Sequence, residues 1–297
     1  MAHATSLTTL APGEAVEVAL ATLEREGQFS AQTLARFVGL MWQFAGFAER
    51  GHGIRDLQLV TPDVVRGYLC APTSDGARPG LSLQHFRRLA VRLLYRTCRQ
   101  LELVEGDPTL DVVLPPRSPG AFRPLEDDEV ELCRAAAAGS GRRMRLAAAW
   151  ALCEATGRTG ELPALVLADV DLAGGRVWLH GSPRTLPRWG QLTEWGAVQL
   201  GRYLSSPAGA AGVPILGTGE PGSALAQSTA VGLICQTLTH AGLGGEPDVR
   251  PASVVAWAGR GIFEETGRIE TAAQRLGMRS LDRTARFIGW DWSVDGA

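Results

Sequence analysis

The chain has 297 residues, 45% of them hydrophobic and 20% charged, with a formal net charge of −2. That length suits about two domains at ~100–200 residues each, and the composition excludes a disordered chain or one that binds polyanions through bulk charge. No apolar run reaches the ~20 residues of a membrane span, since Arg142, Arg143 and Arg145 cut the Ala-rich stretch around them; with no basic-then-apolar opening segment, a cytoplasmic protein is expected.

Residues 1–12 read as a flexible tail, and the first helix is expected over Pro12 to Glu26. A second helix begins with Ser30 as N-cap, stapled by Phe29 and Leu34, and carries an apolar stripe through Phe37, Leu40, Met41, Phe44 and Phe47. A short helix follows Thr61, with Pro62 at its favoured first position. The next starts at Ser82 and places Phe86, Leu89, Ala90, Leu93 and Leu94 on one face. Arg88, Arg92, Arg96 and Arg99 line another face, and no acid interleaves them. Such a stripe is either a solvated face or a surface that lies along a phosphate backbone.

Breakers at Gly106-Asp107-Pro108, Pro115-Pro116 and Pro119-Gly120 mark the end of this helical region. The expected division is a tail (1–12), a helical domain (13–114), a linker (115–123) and a second domain (124–297). A helix from Leu125 to Ala137 opens the second domain with acids in its first turn, which suits the helix dipole. Another runs from about Arg142 to Cys153. Val170-Asp171-Leu172, a Gly174-Gly175 turn and Val177-Trp178-Leu179 form a hairpin signal, with a third strand over Thr185 to Leu192. Helices return over Glu194–Tyr203, Ala224–His240, Arg250–Glu265, Ile269–Leu276 and Ser280–Phe287. The fold class is therefore mainly α with a small antiparallel β-sheet.

Between the Arg142 helix and the hairpin lies Ala155-Thr156-Gly157-Arg158-Thr159-Gly160-Glu161-Leu162. The helix breaks at Gly157, a guanidinium follows, and Glu161 stands three residues on. Two readings stay open for this R-x-x-E: an ion pair at a helix junction, or a phosphate clamp that uses the planar fork of Arg158 while Glu161 holds it. Five spaced cysteines without a C-x-x-C pair argue against a zinc site or a disulfide framework and read as buried thiols; neither metal nor cofactor is expected.

The order of elements, together with the proline-closed helical part, Thr156-Gly157-Arg158-Thr159-Gly160-Glu161-Leu162, Asp169-Val170-Asp171-Leu172 and a late Leu276-Gly277, resembles the tyrosine-recombinase (phage-integrase) family. The resemblance covers about Phe29 to Phe287. It implies a helical, SAM-like core-binding domain followed by a catalytic-type domain, and a tyrosine that attacks a DNA phosphodiester while two arginines, a histidine-type residue and a hairpin lysine assist. Carried onto this chain, Arg158 matches the first arginine and Glu161 its acidic support. The chain contains no lysine, so Arg184 or Arg188 is the nearest hairpin base. Ala252 and Val255 stand at the family's histidine and second arginine, Met278 at the later histidine, and Phe287 at the nucleophile. Tyr68, Tyr95 and Tyr203 all precede this region, and Tyr203 reads as structural.

The reading that follows is a pseudo-recombinase: a non-enzymatic, architectural or regulatory protein that binds double-stranded DNA. Its candidate contacts are Arg88, Arg92, Arg96, Arg99, Arg158, Arg184, Arg188, Arg250, Arg260 and Arg279, with Glu161 in support. The alternatives are a protein-interaction or homo-oligomeric module anchored by Trp290 and Trp292, and an active recombinase with displaced catalytic residues, which Arg250, Arg260 or Arg286 would have to complete.

Overall fold

A computed structural model describes residues 10–29, 31–116, 122–139, 142–210, 214–217, 220 and 222–290. Ser30, most of the expected tail and linker, and Trp292 lie outside the described residues. The chain divides into two compact units, Met1–Arg117 and Ser118–Ala297. It is mainly helical, with one three-stranded antiparallel sheet. No helix among the described residues is long and apolar enough to cross a membrane, and no group of three or more His, Cys, Asp or Glu is arranged to hold a metal ion.

The first unit is built on α1 (Pro12–Glu26), α2 (Ala31–Gly46), α3 (Pro62–Cys70) and α4 (Leu81–Gln100). Pro12 opens α1, and Gly27 closes it at φ 62°, a conformation that glycine adopts without a Cβ penalty. The α2 stripe is buried as its spacing requires, with Phe37, Met41 and Phe44 at 0% exposure, and the helix packs on α1 and α4. It runs on through a π-helical turn, Phe47–Gly51, which nothing in the sequence announces. Thr61 caps α3 through Val64 N. Helix α4 starts one residue earlier than expected: Gly80 is its N-cap and Ser82 falls inside the first turn.

The arginine face of α4 departs from the sequence reading. Arg88 and Arg92 are buried, at 2% and 9% exposure. Arg88 donates to the Val112 carbonyl at 2.8 Å, and Arg92 donates to the Thr109 hydroxyl and carbonyl, both at 3.2 Å. These groups lash the 109–115 segment to the helix, and His85 makes a further bond to the Pro115 carbonyl at 2.8 Å. The physical reason is donor demand. A loop laid over a helix must satisfy its carbonyls, and a guanidinium carries five N–H groups to do so. Arg96 is half-buried, and Arg99 is the exposed member of the four.

In the second unit, α5 (Asp127–Ala137) begins where Glu129 reaches back to the Glu126 N–H at 3.0 Å. Helix α6 (Arg142–Glu154) is the core element: Leu146 to Cys153 are all at 3% exposure or less, Trp150 at 0%. Its alanines let α7 (Glu194–Leu204), α9 (Ala224–His240), α5 and α10 (Ala252–Thr266) pack on it. A four-residue α8 (Pro207–Ala210) was not expected, and α11 (Ile269–Arg275) and α12 (Leu281–Phe287) close the fold.

The sheet runs in the order β1 (Val170–Asp171), β2 (Arg176–Leu179), β3 (Arg188–Gln191), with Trp178 opposite Trp189 and Leu179 opposite Arg188. The third strand is shorter than the expected 185–192, because Ser182 and Thr185 are held in a turn by backbone bonds in both directions. Gly190 faces the end of α6, where an added Cβ would stand 2.1 Å from the Ala155 carbonyl oxygen. The cysteines divide: Cys98, Cys133 and Cys153 are buried as read, whereas Cys70 and Cys235 are exposed. All three tyrosines are buried and spend their hydroxyls on backbone carbonyls, Tyr68 on Leu40 (2.7 Å), Tyr95 on Leu57 (2.9 Å) and Tyr203 on Ile215 (3.0 Å).

Candidate functional site

Helix α6 ends in a turn that sets the site. The left-handed residue is Thr156, at φ 70°, one position before the Gly157 at which the helix was expected to break. A β-branched residue there is strained, and it is held because its hydroxyl donates to the Arg275 carbonyl at 2.8 Å at the end of α11. Gly157 is required for space, since a Cβ would meet the Leu152 carbonyl oxygen at 2.6 Å. Arg158 follows this turn directly.

Glu161 does not hold the Arg158 guanidinium. Its carboxylate accepts from both terminal nitrogens of Arg188 (2.8 and 2.9 Å), from the Thr185 hydroxyl (2.6 Å) and from the backbone N–H of Arg158 (2.9 Å). Burial by itself would push the Glu161 carboxyl up; the bonds and charge of Arg188, then Thr185 and the Arg158 amide, outweigh it and hold the pKa below the ordinary value. Arg188 in turn donates to the carbonyls of Thr156 (2.6 Å), Arg275 (3.0 Å) and Leu186 (3.1 Å). At 7% exposure with every direction used, Arg188 is a structural tie and not the phosphate contact the sequence reading made it. The signal for this was present: Arg188 shares the inward face of β3 with Gly190, while Trp189 and Gln191 face outward.

The Arg158 guanidinium is left half-buried and, among the described residues, has no acidic partner. Its Nε and one terminal nitrogen are buried and make no hydrogen bond. Burial holds its pKa below the ordinary arginine value, with Glu161 opposing the shift and Arg188 adding to it. The group lies over the ring of Phe287, Cζ 4.5 Å from the centroid, and Phe122 meets the same ring edge-on at 5.4 Å. Phe122 was not singled out from sequence, where one aromatic before Pro124 carries no periodic signal.

The other assigned positions are placed as follows. Gly277, at φ 65°, donates no side chain but brings its carbonyl to the Leu186 N–H (2.8 Å), so the Leu276-Gly277 stretch reaches the hairpin beside Arg188. Met278 is half-buried, Ala252 starts α10, and Val255 is buried at 1% exposure; none of their side chains offers a donor to an anion. Arg184 and Arg279 are exposed, and their guanidiniums have no described hydrogen bond or ion pair; the Arg184 backbone N–H donates to the Ser182 hydroxyl at 3.2 Å. Arg250 turns back onto the Val249 carbonyl (2.8 Å), and Arg260 onto the Ile288 carbonyl (3.2 Å) with Glu126 3.9 Å away. Arg286 leans on the Asp282 carbonyl at 3.4 Å. Trp290, expected to anchor a partner, packs on Phe263 of its own chain with ring centroids 4.7 Å apart, and its backbone N–H donates to the Ala285 carbonyl at 2.8 Å.

No protein-family model matches the sequence, and no curated protein matches it. Solved structures are similar to it. A XerA recombinase shares 21% identity over 95% of this chain and 95% of that chain, with a TM-score of 0.49. A lambda integrase dimer bound to a COC′ core site shares 16% over 96% and 98%, at 0.43. A post-cleavage complex of the XerH site-specific recombinase with palindromic difH substrate shares 14% over 95% and 82%, at 0.47. None of these likenesses reaches 25% identity or a TM-score of 0.5.

Proposed function

We propose that this protein is a non-cleaving relative of the tyrosine recombinases that binds double-stranded DNA, with Arg158 as a phosphate contact and an architectural or regulatory role. The observation that carries the reading is the state of Arg158: a half-buried guanidinium with unmet donors, no carboxylate partner among the described residues, and a phenyl ring where the resemblance puts a nucleophilic hydroxyl. Its unmet N–H groups match the oxygens of a phosphate, and a bound anion would relieve their desolvation. Arg184, Arg279 and Arg99 are exposed cations suited to backbone contacts that add affinity without base reading.

Phe287, Ala252, Val255 and Met278 supply neither nucleophile nor charge to a reacting phosphate, and the hydroxyls of all three tyrosines are committed to buried carbonyls. Fluorescence anisotropy with labelled duplexes from the protein's own genomic neighbourhood, across a salt series, tests the reading together with a nicked suicide substrate. Binding that weakens steeply with salt and leaves no covalent adduct is the expected result. No binding at low salt, or an adduct, overturns it.

A further inference from the structure

Thr156 holds a backbone conformation that its side chain resists. Among the described residues, it and Glu102 are the non-glycine positions with positive φ; Glu102 is exposed beyond the end of α4, whereas Thr156 is buried at 4% exposure. A glycine would adopt φ 70° freely, and helices commonly end on one. Strain on a β-branched residue persists only where its surroundings hold it, and here the hold is something glycine lacks. The Thr156 hydroxyl donates to the carbonyl of Arg275, the last residue of α11, at 2.8 Å. That carbonyl has no partner within its own helix; Arg188 Nε shares it at 3.0 Å, and a terminal nitrogen of Arg188 reaches the Thr156 carbonyl at 2.6 Å.

The anchors of this turn converge on the backbone that carries Arg158. The Gly157 N–H donates to the Leu152 carbonyl at 2.9 Å, and the Arg158 N–H to the Glu161 carboxylate at 2.9 Å. The Arg158 guanidinium makes no described hydrogen bond and rests on the Phe287 ring, so its place is set from its root. The Thr156–Arg275 bond also joins the end of α6 to the end of α11, which leads through Gly277 into α12 and Phe287. One hydroxyl thus ties the root of Arg158 to the segment that bears its ring. A half-buried guanidinium has little room to re-aim, and a displacement of ~1 Å in its support is enough to loosen such a site. From this convergence we infer that Thr156 is a positioning residue for Arg158, its hydroxyl holding the turn in the conformation that presents the guanidinium to a duplex phosphate. The inference rests on the proposed role of Arg158 in duplex binding.

Anisotropy with a labelled duplex across a salt series, on full-length Thr156→Gly, Thr156→Ser, Arg158→Ala and the Thr156→Gly/Arg158→Ala double variant, tests this. Thr156→Gly accepts φ 70° without strain and drops the hydroxyl, so it stays folded; Thr156→Ser keeps the hydroxyl. The expected result is binding about tenfold weaker in Thr156→Gly, with a salt slope lower by about one counterion, and parent affinity in Thr156→Ser. On the Arg158→Ala background, Thr156→Gly should add no further loss, since the two residues act through one contact. A purely structural threonine would not give that coupling. With Arg158→Ala weakened, parent affinity in Thr156→Gly, an equal loss in Thr156→Ser, or an undiminished loss in the double variant overturns the inference and leaves the phosphate contact standing. Parent affinity in Arg158→Ala removes the phosphate contact itself, and the inference with it.

Discussion

The guanidinium of Arg158 and the ring of Phe287 are in contact, 4.5 Å from Cζ to centroid, while the carboxylate three residues from Arg158 belongs to Arg188. Removing Arg158 thus strands no buried acid. Arg158→Ala should change stability by no more than about 1 kcal/mol, the scale of one cation–π contact. Duplex affinity should fall about tenfold, and the salt slope should decrease by about one counterion. Urea denaturation and anisotropy across a salt series measure the two effects. Lost stability with unchanged affinity would make Arg158 a structural relic.

Glu161 should behave in the opposite way. Glu161→Ala leaves the Arg188 charge buried without its carboxylate, a loss of about 3–5 kcal/mol. The pH dependence has a definite sign. Because the folded pKa lies below the ordinary 4.5, the contribution is fully present above that value and is lost as pH falls through the lowered pKa. Glu161→Gln should therefore flatten the acid limb of the stability curve below about pH 4.5, as measured by denaturation at a series of pH values.

Phe287→Tyr adds a hydroxyl to the ring that Arg158 covers. The variant should remain folded, since the rings have the same shape, and should still form no covalent adduct with a nicked suicide duplex. Positions 252, 255 and 278 would continue to lack any group that stabilises charge on the phosphate, and catalytic residues that act as a unit leave little behind singly. An adduct on denaturing gels would show that the remaining site suffices for cleavage.

On α4, neighbouring arginines should separate cleanly. Arg92→Ala removes the donors to Thr109 and should cost about 1–3 kcal/mol, with affinity per folded molecule unchanged. Arg99→Ala, at an exposed position, should alter stability by less than about 0.5 kcal/mol and weaken duplex binding at low salt. Parallel denaturation and anisotropy on the two variants distinguish a tie from a contact.

Elements whose cause is local were legible in the sequence. Pro12–Glu26 and Ala224–His240 form over the residues expected, and the hairpin turns at Gly174-Gly175, because helical periodicity, proline placement and turn glycines act within a few residues. That Ala252, Val255, Met278 and Phe287 carry no hydroxyl and no ionisable group was also plain from residue identity. The partners of the arginines were not. A guanidinium reaches several ångströms in any direction, so whether Arg88 and Arg92 face solvent or a loop, and whether Glu161 serves Arg158 or Arg188, depends on chain brought in from elsewhere: residues 109–112 in one case, β3 and the end of α11 in the other. Sequence determined that Arg158 has a carboxylate three residues away and an aromatic far downstream; tertiary packing decided that its guanidinium bonds no part of that carboxylate and rests on the ring, because Arg188 arrives from the sheet and takes both oxygens of Glu161.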